Sequence, residues 1–314
     1  MGIQSDSILR QAYKLIESCQ IEQAKNMLED ALKGDLNNKA LVFAIYCSQF
    51  WLSPFSSQEQ GGCFEQGESL IADWKLFKKL LQKKEFSVDG ADYENIVYSF
   101  KKGIFSAALE KYGKSPDEND SRMRAEICRK KGLCYKKLGS YETALSCLTE
   151  ANETLGGQAA VLAEMADCYA LCGETKYAKL LFREAFFTDA QRIDLDFLDA
   201  PLITVLVEQV EQKGYAGAEK LEWIPVYGVL LGVFGIKREL RSQEVLRLKQ
   251  DIYSLESELK DPANNSAVLT PRLMNLYFWL IDHYVLSKDS VAKINEVLLK
   301  IKILDPAVYQ MYVK

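Results

Sequence analysis

The chain has 314 residues, of which 48% are hydrophobic, and its formal net charge is −5. A chain of this length is long for one compact core and suits an extended solenoid, and the apolar content is sufficient for a continuous interior. The acidic net charge argues against a general nucleic-acid-binding protein, which is normally basic.

The first predicted elements are helices separated by turn-forming segments. Residues 8–34 carry Ala12, Ala24, Leu28 and Ala31 at spacings that place them on buried helix faces. Helical runs follow over about 39–51 and 67–84, and the segment between them is polar and rich in turn-forming residues. We therefore interpret 38–84 as a pair of helices with an inserted loop.

The central part of the chain repeats itself at an interval of 34 residues. The first copy contains Gly132, Tyr135, Gly139, Tyr141, Ala144, Leu148 and Ala151. The second contains Ala166, Tyr169, Gly173, Thr175, Ala178, Phe182 and Ala185. A weaker copy contains Gly103, Phe105, Ala108 and Tyr112, which precede Gly139, Tyr141, Ala144 and Leu148 by a uniform 36 residues. A fixed period of this size predicts two-helix units, each of which buries its apolar face against its neighbours.

These copies resemble the tetratricopeptide repeat (TPR) family, in which small residues lie where the two helices of a hairpin cross. Gly132 and Ala144 occupy those positions in the first copy, and Ala166 and Ala178 occupy them in the second. The resemblance is clearest over 121–190 and weaker over 8–34 and 93–120. It implies an all-α fold in which antiparallel helical hairpins form a right-handed superhelical solenoid, and it implies protein binding rather than catalysis.

The repeat pattern decays after residue 190, so we expect a TPR-like solenoid over 1–190 and a divergent helical region over 191–314. In the second region we predict a helix over 202–212, an apolar segment over 223–236, one long helix over 237–260 and a terminal hairpin over 270–306. Thr270 and Pro271 are expected to be the N-cap and the first helical residue of that hairpin. Asp305 and Pro306 are expected to end its second helix.

The predicted long helix carries an apolar seam with alternating steps of three and four residues. Its members are Val245, Leu248, Ile252, Leu255 and Leu259. Two heptads are too few for an independent coiled coil, so we interpret the helix as packed against the rest of the fold. Self-association through the seam is the alternative.

Residues that support catalysis or metal binding are scarce. His283 is the only histidine, which excludes metal sites built on histidine pairs and most histidine relays. No glycine-rich phosphate loop is present, and the aspartates at 189–199 lack the pattern of a calcium loop. The eight cysteines form no C-x-x-C pair, so we interpret them as reduced core thiols. We therefore expect no enzyme activity, no metal and no cofactor.

The sequence also predicts a cytoplasmic protein without a transmembrane segment. The N-terminus lacks a charged start followed by an apolar run, as a signal peptide would have. The two uncharged, mostly apolar runs at 40–52 and 223–236 are too short to span a bilayer as helices.

The resemblance implies a partner-binding groove, because the first helix of each TPR hairpin lines a concave surface. The corresponding positions of the two best copies hold Arg129, Lys130, Leu133, Lys136, Lys137, Ala163 and Asp167. Four cations on one helix would attract an acidic peptide or protein. The alternative is a solvated helix face without a ligand.

A second candidate surface lies in the apolar segment. Trp223, Tyr227, Leu231 and Phe234 would form a docking patch if exposed, or a buried hinge if not. The leading hypothesis is thus a non-enzymatic scaffold that binds a protein or peptide in its concave groove. The alternative is a structural subunit or homo-oligomer that assembles through 223–259. Nucleic-acid binding is not expected.

Overall fold

The computed structural model describes residues 2–56, 61–83, 86, 88–115 and 120–313. Over these residues the chain has 15 α-helices and no strand, which confirms the all-α part of the predicted fold class. No helix in this part of the chain is both long and apolar enough to cross a bilayer. The contacts divide the chain into two compact units, Met1–Thr154 and Leu155–Lys314.

The described residues of the first unit form seven helices. They are α1 (Gly2–Glu17), α2 (Ile21–Gly34), α3 (Lys39–Ser56), α4 (Cys63–Lys83), α5 (Gly90–Lys114), α6 (Ser121–Lys137) and α7 (Tyr141–Thr154). Sequential neighbours pack together, and α1 also packs against α5. The helices α3 and α4 extend further than predicted, so most of the expected loop over 52–66 is helical, and its centre at 57–60 lies outside the described residues.

The α6–α7 hairpin is positioned by the small residues of the repeat. A Cβ atom on Gly132 would lie 2.7 Å from Cγ of Leu148, so only glycine allows this approach of the two helices. Gly139 follows the end of α6 with φ of +82°, a conformation that glycine adopts without strain. The side chain of Asp120 accepts a hydrogen bond of 2.8 Å from the backbone N–H of Arg122 and so caps the start of α6.

The second unit contains eight α-helices and two short 3-10 turns among its described residues. They are α8 (Ala159–Leu171), α9 (Thr175–Asp189), the turns Ala190–Arg192 and Leu195–Phe197, α10 (Pro201–Gln212), α11 (Gly217–Leu230), α12 (Ser242–Glu258), α13 (Ser266–Leu286), α14 (Val291–Leu304) and α15 (Pro306–Tyr312). The helix α13 is buried along most of its length, because α11, α12 and α14 all pack against it.

Two helix starts differ from the prediction. The long helix was expected from residue 237, but α12 begins at Ser242, where the Glu244 carboxylate accepts a hydrogen bond of 2.7 Å from the backbone N–H of Arg241. The helix α13 begins at Ser266, capped by the Asn265 side chain, so Pro271 lies inside the helix rather than at its first position. Proline there removes one backbone hydrogen-bond donor from the helix.

The end of α14 agrees with the prediction, and the same residues begin another helix. The helix α14 ends at Leu304, and Pro306 is the first residue of α15. The Asp305 side chain caps α15 by accepting hydrogen bonds of 2.8 Å from Ala307 N and 3.1 Å from Val308 N. A proline, which has no backbone N–H, fits the first helical position because an N–H there would have no partner within the helix.

The core of the second unit contains an ion pair between Arg183 of α9 and Asp282 of α13. The two side chains are 2% and 5% exposed. The Arg183 guanidinium also donates to the backbone carbonyl of Ile236 at 2.8 Å and lies 4.6 Å from the ring centroid of Trp279. Lys237 Nζ lies 2.6 Å from the second oxygen of Asp282. These contacts tie α9, α13 and the segment before α12 together.

Candidate partner-binding surfaces

The cations predicted for the groove lie on α6, and most of their side-chain surface is buried. Lys130, Lys136 and Lys137 are 8%, 2% and 5% exposed, and Leu133 is 1% exposed. The Arg129 side chain keeps 13% of its surface exposed. The four cations predicted for the groove are therefore largely buried, whereas Arg122 and Arg124, near the start of the same helix, are exposed.

Two of these cations, Lys130 and Arg129, form ion pairs within the first unit. Lys130 Nζ lies 2.7 Å from Glu68 of α4, and Glu68 also accepts a hydrogen bond of 2.5 Å from the Tyr112 hydroxyl of α5. Arg129 donates to Glu126 at 2.5 and 2.8 Å. Burial opposes the ionisation of Glu126, but the hydrogen bond and charge of Arg129 and the charge of Lys130 outweigh it and lower the pKa of Glu126.

The groove residues predicted for the second unit are also buried. Ala163 and Asp167 are 1% and 0% exposed. The Asp167 carboxylate accepts hydrogen bonds from the backbone N–H groups of Asp199, at 3.0 Å, and Ala200, at 2.8 Å, just before Pro201 begins α10. A carboxylate is favoured at a helix N-terminus because unpaired N–H groups and the helix dipole meet there. Asp167 thus anchors the start of α10.

The candidate docking patch is mostly part of the core. Trp223, Tyr227 and Phe234 are 5%, 7% and 1% exposed, whereas Leu231 is 44% exposed. A Cβ atom on Gly228 would overlap the ring of Phe234, so the chain folds back closely on α11 at that glycine. Three of the four side chains of the candidate docking patch are therefore buried, and Leu231 alone of the four is exposed.

The apolar seam of α12 packs within the second unit. Leu248, Ile252 and Leu255 are buried, and α12 lies against α13. Self-association through these residues would require the helix to leave α13. The opposite face of α12 exposes Leu246 and Tyr253, at 63% and 74%.

A cleft of about 460 Å³ opens in the second unit where the end of α9, the following turn, α11, α12 and α13 meet. We call it the acidic cleft, because four carboxylates and one guanidinium line it. These charged residues are Asp189, Glu222, Asp251, Glu258 and Arg272. Its apolar walls include Phe186, Phe187, Leu255 and Leu276. The volume lies in the range typical of ligand sites.

The buried carboxylate of the cleft is neutralised within the fold. Glu222 is 3% exposed, and its Oε1 accepts hydrogen bonds from Arg272 Nη2 at 2.5 Å and Gln191 Nε2 at 2.8 Å. The hydrogen bond to Glu222 outweighs burial and raises the pKa of Arg272. By contrast, Asp251 and Glu258 form no ion pair with any residue that the structure describes.

The wall of the cleft also contains a buried amide. Asn275 of α13 is 4% exposed and lines the cavity. Its side chain makes no hydrogen bond to another residue within the described ranges. The amide atoms of Asn275 are not among the fully buried polar atoms that lack a partner, so they are accessible from the cavity, where a ligand could form hydrogen bonds with them.

Sequence patterns indicate only a small part of this site. Asp189 belongs to an aspartate-rich stretch, but Glu222, Asp251, Glu258 and Asn275 come from three later helices and share no motif. Among the residues that the structure describes, no three His, Cys, Asp or Glu side chains are grouped so that they could hold a metal ion.

No family model and no curated protein matches this chain. The functional interpretation therefore rests on the helical fold and on the geometry of the acidic cleft. The decisive features are its excess of carboxylates and its buried amide.

Proposed function

We propose that this chain is a non-enzymatic interaction protein of the TPR family that binds a segment of a partner protein or a peptide. The hairpins α6–α7 and α8–α9 support the family assignment, because Ala144, Leu148, Ala178 and Phe182 are all completely buried at equivalent positions of the two copies. The eight free thiols support a reducing compartment such as the cytoplasm.

The acidic cleft is the observation that carries the proposal. It combines a cavity of about 460 Å³, apolar walls and a buried amide that lacks a partner among the described residues. Cavities with a few convergent polar groups are the usual form of a binding site. The surfaces proposed from the sequence support binding less well, because most of their side chains are buried.

The alternative, a structural subunit that assembles through 223–259, has weaker support. Its predicted contacts at Trp223, Phe234, Leu248 and Leu255 are buried inside the second unit. A second copy would have to contact the exposed face of α12 instead.

The proposal can be tested with two matched tryptophan substitutions on α12. Ser254 lines the cleft and is exposed, whereas Ser257 is exposed on the same helix and does not line it. The wild type, Ser254→Trp and Ser257→Trp would each be used to recover binding proteins from an extract of the source cells. Circular dichroism would verify that all three keep the same helix content.

We expect the wild type and Ser257→Trp to recover the same proteins and Ser254→Trp to lose them, because the indole would fill the cleft. Recovery of the same set by all three would reject the cleft as the partner-binding site. Loss with both variants would mean that α12 is sensitive to any large side chain, and that result would also count against the cleft.

A further inference from the structure

The geometry of the acidic cleft points to the chemistry of its ligand. We infer that the cleft binds a basic side chain, arginine or lysine, of the partner segment. This inference rests on the proposed function, because it names what the same site recognises. It reverses the sign of the partner charge that the sequence predicted, from an acidic to a basic segment.

The first argument is the charge that remains after internal pairing. Arg272 neutralises Glu222 at the wall of the cleft. Asp189 lies 3.7 Å from Arg192, a pair whose arginine is 80% exposed and therefore contributes little. Asp251 and Glu258 are exposed and have no ion-pair partner in the described ranges, although the charge of Arg272 also acts on Glu258 and Asp189. The cleft thus keeps an excess of negative charge.

The second argument is the placement of that charge. Asp251 and Glu258 are seven residues apart on α12, so they lie on the same helix face about two turns apart. Both line a concave surface whose other walls include the apolar side chains of Phe187, Leu255 and Leu276. Clefts of one charge sign with low-dielectric walls focus the electric field and attract the opposite charge.

The third argument is the amide of Asn275. Its oxygen can accept hydrogen bonds, and its side chain lines the same cavity without a partner among the described residues. A guanidinium or ammonium group carries several donors and no acceptor. Such a group could donate to Asn275 and to a carboxylate at once, while its methylene stem packs on the apolar walls.

A metal ion fits the cleft less well than an organic cation. Within the part of the chain that the structure describes, no three carboxylate, cysteine or histidine side chains come close enough together to form a metal site. Carboxylates spread along a cavity of about 460 Å³ suit an elongated ligand, whose charge is at the end of an apolar stem.

The test uses two capped peptides that differ in a single charge, acetyl-Gly-Ser-Arg-Ser-Gly-amide and the same peptide with citrulline in place of arginine. Citrulline keeps the shape of arginine and removes its charge. The readout is the side-chain amide signal of Asn275 in protein labelled with ¹⁵N-asparagine, assigned from its loss in Asn275→Ala. Each peptide is titrated into the full chain, first at low and then at high salt.

We expect the arginine peptide to shift the Asn275 signal with an affinity about tenfold higher than that of the citrulline peptide, because charged hydrogen bonds are the stronger ones. High salt should weaken the arginine peptide selectively. The double variant Asp251→Asn with Glu258→Gln should lower its affinity by about 3- to 10-fold and leave the citrulline peptide unchanged.

The matched control is Glu208→Gln with Glu239→Gln, which removes two exposed carboxylates of the same unit that do not line the cleft. It should keep the affinity for the arginine peptide. The inference would be overturned if the protein bound both peptides with equal affinity, or if both double variants lowered the affinity for the arginine peptide equally. It would also be overturned if millimolar arginine peptide did not shift the amide signal of Asn275. The comparison of Ser254→Trp with Ser257→Trp decides the proposed function independently of these outcomes.

Discussion

Lys130 of α6 and Glu68 of α4 form an ion pair with a separation of 2.7 Å between Nζ and Oε2. The lysine side chain is 10% exposed and the glutamate side chain is 37% exposed. Lys130 Nζ also lies 3.8 Å from Glu126 on its own helix. A charge that the repeat pattern assigned to partner binding therefore stabilises contacts between helices of the first unit.

The cluster around Glu126 predicts a dependence of stability on pH. Because the folded-state pKa of Glu126 is lowered, its ionisation stabilises the folded state above the unfolded pKa of about 4.3. This contribution is lost as the pH falls through the folded pKa. Glu126→Gln should therefore lower the free energy of unfolding by about 1 kcal/mol at neutral pH, and the difference from wild type should disappear in acid.

Urea titrations of both proteins across the acid range would measure this difference. Glu94 is an exposed glutamate of α5 without an ion pair in the described residues, so Glu94→Gln is the control and should show no such pH dependence. A constant difference between Glu126→Gln and the wild type at all pH values would contradict the role of the carboxylate charge.

The close crossing of α6 and α7 predicts opposite effects of two glycine substitutions. A Cβ atom at residue 132 would lie 2.7 Å from Leu148 Cγ and 3.2 Å from the Ala144 carbonyl oxygen, whereas a Cβ atom at residue 113 would meet nothing within 4 Å. Gly132→Ala should destabilise the fold by about 1–3 kcal/mol through overpacking. Gly113→Ala should stabilise it by about 0.5–1 kcal/mol, because alanine favours the helix.

Denaturation followed by circular dichroism would measure both changes in stability. The two variants are matched, because each adds one methyl group to a helical glycine of the first unit. If Gly132→Ala had the stability of the wild type, α6 and α7 could move apart with little loss of folding free energy. Their crossing would then not require a small residue.

The ion pair between Arg183 and Asp282 predicts that substitutions of these two residues change the stability of the protein non-additively. Asp282→Asn leaves the guanidinium, which is 2% exposed, without its counter-charge, so the loss of stability should be about 3–5 kcal/mol. Arg183→Met combined with Asp282→Leu removes both charges and should cost less than either single change, because apolar side chains of similar volume can replace a buried pair.

Hydrogen exchange of peptides from α9 and α13, followed by mass spectrometry, would localise these effects. The control is Glu211→Gln, which removes a pair to Lys220 whose glutamate side chain is 49% exposed, and it should cost less than about 1 kcal/mol. Additive losses for Arg183→Met and Asp282→Leu would mean that the two charges do not depend on each other.

Local patterns in the sequence were enough to predict most of the helices and the small residues of two hairpins, but not α11 or α15. The recurrence of Gly132 and Ala144 as Ala166 and Ala178 predicted two hairpins, and α6–α7 and α8–α9 lie where expected. The N-cap of α13 is Asn265, whereas Thr270 and Pro271 were predicted as the start of this helix. Helix boundaries were therefore less accurate than helix positions.

Only the tertiary structure decided which charged and aromatic residues face solvent. The sequence determined where helices form, because helix periodicity, caps and small residues at crossings act over a few residues. The exposure of Lys130 depends on Glu68, which is 62 residues away in the chain, and the burial of Trp223 and Phe234 depends on how neighbouring helices cover them. The acidic cleft likewise exists only because α9, α11, α12 and α13 bring their side chains together, since side-chain environment is set by packing between distant segments.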